Sequence, residues 1–234
     1  MYNNNKIIGI IPARGGSKGI RKKNIVDLAG KPLIAYTIEQ AKGSKYIDKI
    51  IVTTDDEEIA DISRSLGAEV PFSRPKALAT DEAKGIDVVL HAITWFDSNE
   101  ESFDIVMMLQ PTSPLRLSED IDKAIEVLFL KNAMAIVSVC KSEHHPLWSN
   151  TLPEDSNMKN FINPEYMNKN RQELPVFYRL NGAIYLSFCN YIKDRKSFYG
   201  ENTFAYIMPD ERSIDIDNML DFKLAELLLN SVTV

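Results

Sequence analysis

A short segment near the amino terminus concentrates positive charge in a chain that is acidic overall. Residues 6–25 read KIIGIIPARGGSKGIRKKNI, and five of them are cations within ten residues: Arg14, Lys18, Arg21, Lys22 and Lys23. The glycines at 15, 16 and 19 let the backbone turn with its N–H groups exposed, an arrangement that binds anionic oxygens. Arginine and lysine side chains bind the same oxygens. The segment therefore indicates a polyphosphate site, although a solvated basic turn has the same composition.

This basic loop differs from the common glycine-rich nucleotide motifs. A Walker A motif needs four residues between its first glycine and Gly-Lys-Ser/Thr, and that spacing is absent. The dinucleotide pattern Gly-x-Gly-x-x-Gly is absent as well. The residue types alone thus predict a bound polyanion without identifying it.

A second candidate feature is a pair of carboxylates in SIDID, residues 213–217. Asp215 and Asp217 alternate along a segment expected to be extended, so both side chains point the same way. Two such carboxylates repel each other unless a cation lies between them, and Mg²⁺ takes oxygen ligands and bridges phosphates. The same aspartates precede a helical pattern at 218–230 and could instead favour its start. Spacing alone leaves both interpretations open.

Alternating strand and helix patterns must position these two features. Continuous apolar runs, typical of strands covered on both faces, are KIIGIIP, DKIIVTTD, FDIVMMLQP and AMAIVSVC. Helical patterns follow them in KPLIAYTIEQAKGS, DEEIADISRSLG, AKGIDVVLHAITWF and SEDIDKAIEVLFLKN. The alternation predicts an α/β fold with a doubly wound, mostly parallel sheet. Ligands of such sheets bind beyond the carboxyl ends of the strands, where the basic loop lies.

The regular pattern is interrupted between residues 141 and 180, which are polar and irregular. This excursion is longer than a plain connection, so we expect it to be functional or to be an interaction element. Strand patterns return at LNGAIYLSF and NTFAYIMP, and NMLDFKLAELLLN closes the chain as a helix. The sequence predicts one domain over residues 1–234 with an excursion at 141–180.

Composition excludes several classes of protein. The chain has 234 residues and a net charge of −6, which argues against a protein that coats nucleic acid or a membrane surface. No aromatic residues interleave with the cations of residues 14–23, as nucleic-acid binding would favour. No apolar segment approaches the roughly 20 residues of a membrane span, and no signal peptide is recognised. Cys140 and Cys189 lie in apolar runs, so we expect buried free thiols in a reducing cytoplasm.

Seven blocks of sequence, spread over nearly the whole chain, carry a resemblance to a known family. They are IIPARGGSKGIRKKNI, IVTTDDEEIAD, RPKALATD, LQPTSPLR, EHHP, YRLNGAIY and RSIDID. In this order they resemble the acylneuraminate cytidylyltransferases, also called CMP-N-acetylneuraminic acid synthetases. The resemblance implies a Rossmann-like nucleotidyltransferase of cell-surface polysaccharide biosynthesis. Its expected reaction is Mg²⁺-dependent transfer of CMP from CTP to the anomeric hydroxyl of a nine-carbon 2-keto acid sugar, with release of pyrophosphate.

The resemblance also implies roles for individual residues. The expected nucleotide-binding residues are Arg14, Ser17, Lys18, Lys23, Asn24 and Arg74. Lys23 is expected to be catalytic at the α-phosphate, where charge grows in the transition state, although in isolation it could be a surface lysine. Asp215 and Asp217 are expected to be catalytic and to bind Mg²⁺, and the resemblance favours this over the helix start. Whether either aspartate is also a general base stays open.

The expected sugar-binding residues come from several blocks. They are Gln110, Thr112, Arg171, Tyr185, Phe198 and Tyr199. The aromatic residues would pack on the N-acyl group, although core packing is a serious alternative for Tyr185. Arg116 fits a ligand contact and a loop-stabilising cation equally well. Family members are typically homodimers, and the resemblance implies that the excursion carries Arg171 into the partner's active site.

One position departs from the family pattern. Trp148 stands shortly after HHP, where some members carry a lysine. Tryptophan removes a cation and adds an apolar face, which leaves the sugar open between N-acetylneuraminic acid and relatives such as legionaminic or pseudaminic acid. His144 and His145 are adjacent and lack the i, i+4 spacing of a zinc-binding helix, so we expect no zinc site.

Two other functions fit the same fold. A 3-deoxy-manno-octulosonate cytidylyltransferase shares the chemistry, but LNGAIY and EHHP favour the acylneuraminate branch. A non-catalytic nucleotide-binding protein is the second alternative, because fold alone does not give function. The paired aspartates count against it, since a protein that only binds a nucleotide has no need of a metal pair.

Overall fold

The computed structural model describes residues 1–17 and 19–231, and it contains eight strands and six α-helices in that part of the chain. The strands are β1 (Ile7–Pro12), β2 (Asp27–Leu28), β3 (Lys31–Pro32), β4 (Lys49–Thr53), β5 (Ile105–Met108), β6 (Ala135–Lys141), β7 (Tyr178–Phe188) and β8 (Thr203–Ile207). The helices are α1 (Leu33–Lys42), α2 (Glu57–Ser65), α3 (Gly85–Ser98), α4 (Ser118–Leu130), α5 (Cys189–Arg195) and α6 (Met219–Ser231). The sequence patterns predicted all of these except α5 and the short β2–β3 hairpin.

The main sheet has six strands in the order β4-β1-β5-β7-β6-β8. Strand β1 is parallel to β4 and β5, and β6 is parallel to β8. Strand β7 runs antiparallel to both of its neighbours. Five strands therefore share one direction, which confirms the predicted α/β fold with a mostly parallel sheet.

The sheet is covered on both faces, as a doubly wound fold requires. Along β1, Ile7 and Ile11 pack with α1, α2 and α4, whereas Ile8 and Ile10 pack with α3 and α5. All four isoleucine side chains are buried, and burying one such side chain stabilises a fold by about 1.5–3 kcal/mol. The alternation explains why β1 reads as a continuous apolar run. Cys140 and Cys189 are buried free thiols, as predicted.

A wide bulge interrupts the pairing of β6 with β7. Val137 pairs with Tyr185 and Val139 with Leu180, so residues 181–184 of β7 stand opposite Ser138 alone. The Asn181 side-chain oxygen accepts hydrogen bonds from the Ser138 hydroxyl (2.6 Å) and from the Ala183 N–H (3.2 Å). These side chains replace the missing strand pairs, because buried polar groups need partners.

The same buried asparagine reaches the segment that carries the paired aspartates. Asn181 Nδ2 donates to Ser213 Oγ at 2.9 Å, and that hydroxyl donates to the Pro209 carbonyl at 2.8 Å. Asn181 and Ser213 are both completely buried. The β7 bulge, defined as residues 181–184, therefore fixes the start of the 213–217 segment.

Between Lys141 and Tyr178 the chain forms only two short 3₁₀ turns, Pro146–Trp148 and Arg171–Glu173. His145 closes the base of this excursion: its Nδ1 accepts from the Leu147 N–H at 3.2 Å, and its Nε2 donates to the Pro175 carbonyl at 2.9 Å. The ring centroids of His145 and Trp148 are 5.8 Å apart. Both ring nitrogens of His145 thus serve in holding the excursion together.

None of the helices in residues 1–17 and 19–231 combines the length and the apolar character needed to cross a membrane.

An ion pair between the buried Asp120 and the partly exposed Arg212 fixes the start of α4. The Asp120 side chain is fully buried and accepts hydrogen bonds from Arg212 Nε (2.9 Å), Arg212 Nη2 (2.8 Å), the Leu117 N–H (3.0 Å) and the Tyr206 hydroxyl (3.0 Å). Burial by itself raises the pKa of Asp120, but the hydrogen bonds from Arg212, Leu117 and Tyr206 outweigh it. The pKa of Asp120 is therefore held below its ordinary value of 3.8.

We predict that Asp120→Asn lowers the free energy of unfolding at neutral pH by about 3 kcal/mol, because it leaves buried donors without a charged acceptor. A lowered carboxyl pKa stabilises the fold above its unfolded-state value, and this stabilisation is lost as the pH falls through the folded-state value. The difference in the free energy of unfolding between Asp120→Asn and the wild type should therefore become smaller below pH 3.8. Urea unfolding over this range measures it, with Asp61→Asn on the exposed side of α2 as the control. If this difference in unfolding free energy did not change with pH, the lowered pKa of Asp120 would be contradicted.

Candidate active site

The basic loop begins where β1 ends and is held in shape by its own side chains. Ser17 Oγ donates to the Ile20 carbonyl at 2.6 Å and accepts from the Lys23 N–H at 3.1 Å. The buried Asn24 side chain donates to the Arg14 carbonyl at 2.9 Å. Ser17 and Asn24, both predicted to bind the nucleotide, therefore also shape the loop. Lys18, another predicted nucleotide-binding residue, lies outside the described residues.

Cations of this loop form ion pairs with acidic side chains. Arg14 pairs with Asp81, and Lys22 pairs with Glu58. Each partner lies on another segment, so the loop is tied down at several points. At this surface exposure such pairs contribute little to stability.

Lys23 brings the basic loop to the paired aspartates, although 193 residues separate it from Ile216. Its Nζ donates to the Ile216 carbonyl at 2.7 Å and lies 3.4 Å from Asp217 Oδ1. The Lys23 side chain is only 15% exposed, whereas that of Asp217 is 79% exposed. Gly19 lies so close to the Asp217 carbonyl that a Cβ there would collide with it. The two predicted features therefore form one site.

Asp215 lies deeper than Asp217, which the predicted alternation did not anticipate. Burial raises the pKa of Asp215, and the charge of Asp217 adds to this, whereas a hydrogen bond with Thr112 and the charge of Lys23 lower it; the net direction is upward. Its Oδ1 atom is buried and has no hydrogen-bond partner among the described residues. An orphaned carboxylate oxygen of this kind is a candidate cation ligand.

The start of α6 is capped by other residues. Asn218 Oδ1 accepts from the Leu220 and Asp221 N–H groups at 2.8 and 3.2 Å. Asp221 Oδ2 accepts in return from the Asp217 and Asn218 N–H groups, both at 3.0 Å. This reciprocal pattern is a capping box, in which the Asp215 and Asp217 carboxylates take no part. Both carboxylates thus remain for other chemistry.

A cavity of about 270 Å³, which we call the basic cavity, opens beside this site. Five predicted residues line it: Arg14, Asn24, Arg74, Gln110 and Thr112. Arg74 is buried, and its guanidinium donates to the Thr53 hydroxyl at 3.2 Å and to the Thr53 carbonyl. Burial lowers its pKa to about 10. Arg74 therefore forms a rigid part of the cavity wall.

A second cavity, of about 390 Å³, adjoins the first and shares Gly85, Met108 and Gln110 with it. We call it the aromatic cavity, because the predicted sugar-binding residues Tyr185, Phe198 and Tyr199 line it. The ring centroids of Tyr185 and Phe198 are 5.4 Å apart. Burial raises the pKa of Tyr185.

The three aromatic residues differ in exposure. Phe198 is only 4% exposed and belongs to the core, Tyr185 is partly buried, and Tyr199 is 50% exposed. Core packing and cavity lining are thus combined in Tyr185 and Phe198.

Sequence reasoning missed two cations that line the aromatic cavity. They are Lys84 and Lys196. Lys196 stands two residues before Phe198, which was predicted, and this proximity was the one hint that the sequence offered. The predicted residue Arg171 is exposed on the excursion and lines neither the basic nor the aromatic cavity. A further cavity of about 530 Å³ lies within residues 150–161 of the excursion and contains none of the predicted residues.

Comparison with known proteins relates the chain to enzymes that form CMP-sugars. The family model described as Cytidylyltransferase matches residues 8–231. The chain is 42% identical over 221 residues to the N-acylneuraminate cytidylyltransferase of Escherichia coli, covering 94% of this chain and 51% of that protein. It is 38% identical over 231 residues to the CMP-N,N'-diacetyllegionaminic acid synthase of Legionella pneumophila, covering 96% of each. The chain thus spans about half the length of the first relative and nearly all of the second.

Among solved structures, the chain resembles that of CMP:2-keto-3-deoxy-manno-octonic acid synthetase complexed with CTP. The TM-score is 0.73 at 15% identity, and the alignment covers 97% of this chain and 99% of the other. At this identity the likeness supports the fold alone.

Gly182 in the β7 bulge offers a direct test of the site geometry. Its φ is +74°, and a Cβ there would lie 2.6 Å from Gln110 Oε1 and 2.9 Å from Asp215 Oδ2. Gly30 has a similar φ of +86°, but a Cβ there would meet nothing within 4 Å. Both positions disfavour a side chain, and only Gly182 also abuts the site.

We predict that Gly30→Ala and Gly182→Ala both lower the free energy of unfolding, by about 1 kcal/mol for backbone strain alone. Gly182→Ala should lose about 1–3 kcal/mol more through overpacking. Urea unfolding measures the difference. Catalytic activity, assayed where both variants are folded, should fall in Gly182→Ala alone. Equal activity in the two variants would show that Gly182 does not set the positions of Gln110 and Asp215.

Proposed function

The chain belongs to the cytidylyltransferase family, and from this we propose that it transfers CMP from CTP to the anomeric hydroxyl of a nine-carbon 2-keto acid sugar. The observation that carries the proposal is the contact of Lys23 with the segment that holds Asp215 and Asp217. The cations that we propose to bind phosphate and the carboxylates that we propose to bind the metal meet there, beside two adjoining cavities.

The reaction balances as a single displacement at phosphorus. The sugar hydroxyl oxygen bonds to the α-phosphorus, the bond to the bridging oxygen breaks, and pyrophosphate leaves with that electron pair. The hydroxyl proton is lost to solvent or to a nearby base. Such a displacement depends mainly on positioning and on neutralising charge.

The basic loop would neutralise the triphosphate. In this proposal Arg14, Ser17 and Lys18 hold the phosphates, and Lys23 acts on the α-phosphate. Asn24 and Arg74 shape the nucleoside side of the basic cavity. Lys23 suits its role because its side chain is mostly buried, so its position is fixed before substrate arrives.

Enzymes of this family typically use a divalent metal, and we propose Mg²⁺ for this chain. Asp215 and Asp217 are the residues that would hold it, and the orphaned Oδ1 of Asp215 fits a metal ligand. No group of three or more potential ligand side chains occurs in residues 1–17 and 19–231, so the remaining ligands would be phosphate oxygens and water. When bound, the metal would neutralise charge on the phosphates.

The aromatic cavity is the proposed sugar site. Gln110, which lines both cavities, and Thr112, which lines the adjoining basic cavity, would contact the sugar from the loop after β5. Tyr185, Phe198 and Tyr199 would pack on an N-acyl group. The two relatives described above are named for N-acylneuraminate and for N,N'-diacetyllegionaminic acid. We propose that the acceptor is a nonulosonic acid: N-acetylneuraminic acid or a relative such as legionaminic or pseudaminic acid. Trp148, which stands where some family members carry a lysine, does not select one of them.

We also propose a homodimer in the cytoplasm. The excursion exposes Leu152, Met158, Met167 and Val176, each more than half accessible in the single chain, and a partner subunit would cover such apolar groups. Arg171 on the same segment would then reach the partner's sugar carboxylate. The cytoplasm supplies CTP and keeps Cys140 and Cys189 reduced.

The experiment that tests the function is pyrophosphate release from CTP and Mg²⁺ with one sugar at a time. The panel contains N-acetylneuraminic, N,N'-diacetyllegionaminic, pseudaminic and 3-deoxy-manno-octulosonic acids. We expect release with at least one nine-carbon acid and none with the eight-carbon acid. Release with the eight-carbon acid alone would favour the octulosonate enzyme. CTP binding without release from any sugar would favour a non-catalytic nucleotide-binding protein.

The metal assignment predicts a contrast between neighbouring aspartates. Asp217→Asn should raise the Mg²⁺ concentration needed for half-maximal turnover by about tenfold or more, because it removes a proposed ligand. Asp221→Asn should lower the free energy of unfolding by about 1 kcal/mol, because it weakens the α6 capping box, and leave the Mg²⁺ requirement unchanged. Mg²⁺ titrations and urea unfolding of both variants distinguish these effects. If the two variants show the same Mg²⁺ requirement, Asp217 is not a metal ligand.

A further inference from the structure

The loop from Gln110 to Arg116, which we call the β5 loop, ends in a buried cation that the proposed mechanism does not use. Arg116 is completely buried, and its Nε has no hydrogen-bond partner in the described part of the chain. It has no carboxylate within ion-pair distance there, because Asp120 pairs with Arg212 instead. Burial lowers the pKa of Arg116 to about 9, against the attraction of Asp120. A cation in such an unfavourable place calls for an explanation.

The two ends of the Arg116 guanidinium hold two different elements. Nη1 donates to the Ala183 carbonyl in the β7 bulge at 2.7 Å. Nη2 donates at 2.9 Å to the hydroxyl of Thr37, which is completely buried in α1. That hydroxyl donates in turn to the Gln110 carbonyl at 3.4 Å. The arginine therefore links the last residue of the β5 loop to its first residue, through α1.

The β5 loop also contacts both sides of the proposed site. Ser113 Oγ donates to the Asn181 carbonyl at 3.3 Å, and the Ile216 N–H donates to the Thr112 carbonyl at 2.8 Å. The first bond reaches the β7 bulge, and the second reaches the segment between Asp215 and Asp217. A shift of the β5 loop would therefore move Gln110 relative to Asp215.

We propose that Arg116 is a positioning residue: by bridging Thr37 and Ala183 it fixes Gln110 of the sugar site against Asp215 of the metal site. A guanidinium suits this task because its donors form a rigid planar fork, which the single ammonium of lysine cannot reproduce. The inference rests on the proposed function, since it assigns Gln110 to the sugar and Asp215 to the metal. The inference adds Arg116 to the residues on which the proposed site depends, although Arg116 itself would contact neither substrate.

The decisive variant changes the partner of Arg116, because removing a buried arginine could unfold the protein. Thr37→Val keeps the shape of the side chain but removes the hydroxyl that links Arg116 to Gln110. We expect it to raise the KM for the sugar by about tenfold, since small displacements in a site have large kinetic effects. The KM for CTP should rise by less, because the side-chain bonds of Arg116 and Thr37 do not reach the basic loop, which meets the β5 loop through Ile216. Thr37→Ser, which keeps the hydroxyl, should restore the wild-type sugar KM.

A matched control separates positioning from general loss of stability. Ser63 is also completely buried, and its hydroxyl donates to the Ile59 carbonyl in α2 at 2.6 Å without joining the β5 loop. Ser63→Ala should lower the melting temperature and leave both KM values unchanged. If Ser63→Ala raises the sugar KM as Thr37→Val does, or if Thr37→Val leaves it at the wild-type value, the proposal is overturned.

A second variant tests the arginine itself. Arg116→Lys keeps the charge but cannot reach both acceptors, so it should raise the sugar KM at least as much as Thr37→Val and raise the KM for CTP by less. A wild-type sugar KM in Arg116→Lys would show that charge alone is required and would overturn the positioning role.

Failure of the proposed function has a different signature. If the wild-type protein turns over none of the sugars, the function is wrong, and amide hydrogen exchange then tests the link without catalysis. In free protein, Thr37→Val should increase amide exchange in the β5 loop and the β7 bulge relative to Thr37→Ser, because Arg116, which bonds to Ala183, loses its second acceptor and its connection to Gln110. Equal exchange in the two variants would overturn the proposed link.

Discussion

The site depends on the interruption in strand pairing between β6 and β7. Residues 181–184 leave the sheet opposite Ser138, and the side chains of Ser138 and Asn181 satisfy the backbone groups that pairing would otherwise have used. The bulge turns through Gly182, and the space where a side chain would stand is filled by Gln110 and Asp215. Two segments more than 100 residues apart in sequence thereby take their positions from the same four residues. A β-bulge beside an active site commonly has this function of aiming side chains.

The acidic composition of the chain and its basic loop are compatible because three cations of the described part of the loop are paired within the chain itself. Arg14, Lys22 and Lys23 each contact an aspartate or glutamate on another segment. Exposed pairs of this kind contribute only about 0–1 kcal/mol, so a triphosphate can replace the carboxylates with little loss. The pairs connect the loop to other segments of the chain. The loop is thus prepared for a strongly charged ligand.

The sequence predicted the layers of the fold, because the periodicity of apolar residues reports which faces are buried. It also predicted the edge of the sheet at which the candidate site lies, because the carboxyl ends of parallel strands share one edge. It did not predict the direction of β7, since an apolar run looks the same in either direction. Helix α5 has only seven residues, too few to establish a helical period. The unequal burial of Asp215 and Asp217 was missed because it depends on Thr112 and the β7 bulge, which approach from elsewhere in the chain. The sequence pattern placed Asn218 inside the last helix. In the structure Asn218 caps the start of α6, so the carboxylates of Asp215 and Asp217 are not needed as caps.

The closed base of the excursion has a consequence for how such proteins diversify. Strands β6 and β7 pair up to Lys141 and Tyr178, the Ser142 N–H donates to the Phe177 carbonyl at 2.8 Å, and His145 bonds to Pro175, so the chain leaves and re-enters the sheet at one point. The free energy of closing a loop changes only slowly with its length. The excursion between these closing contacts can therefore be lengthened, shortened or exchanged in evolution while the sheet keeps its stability. The length and the sequence of the excursion can thus vary without a change of fold.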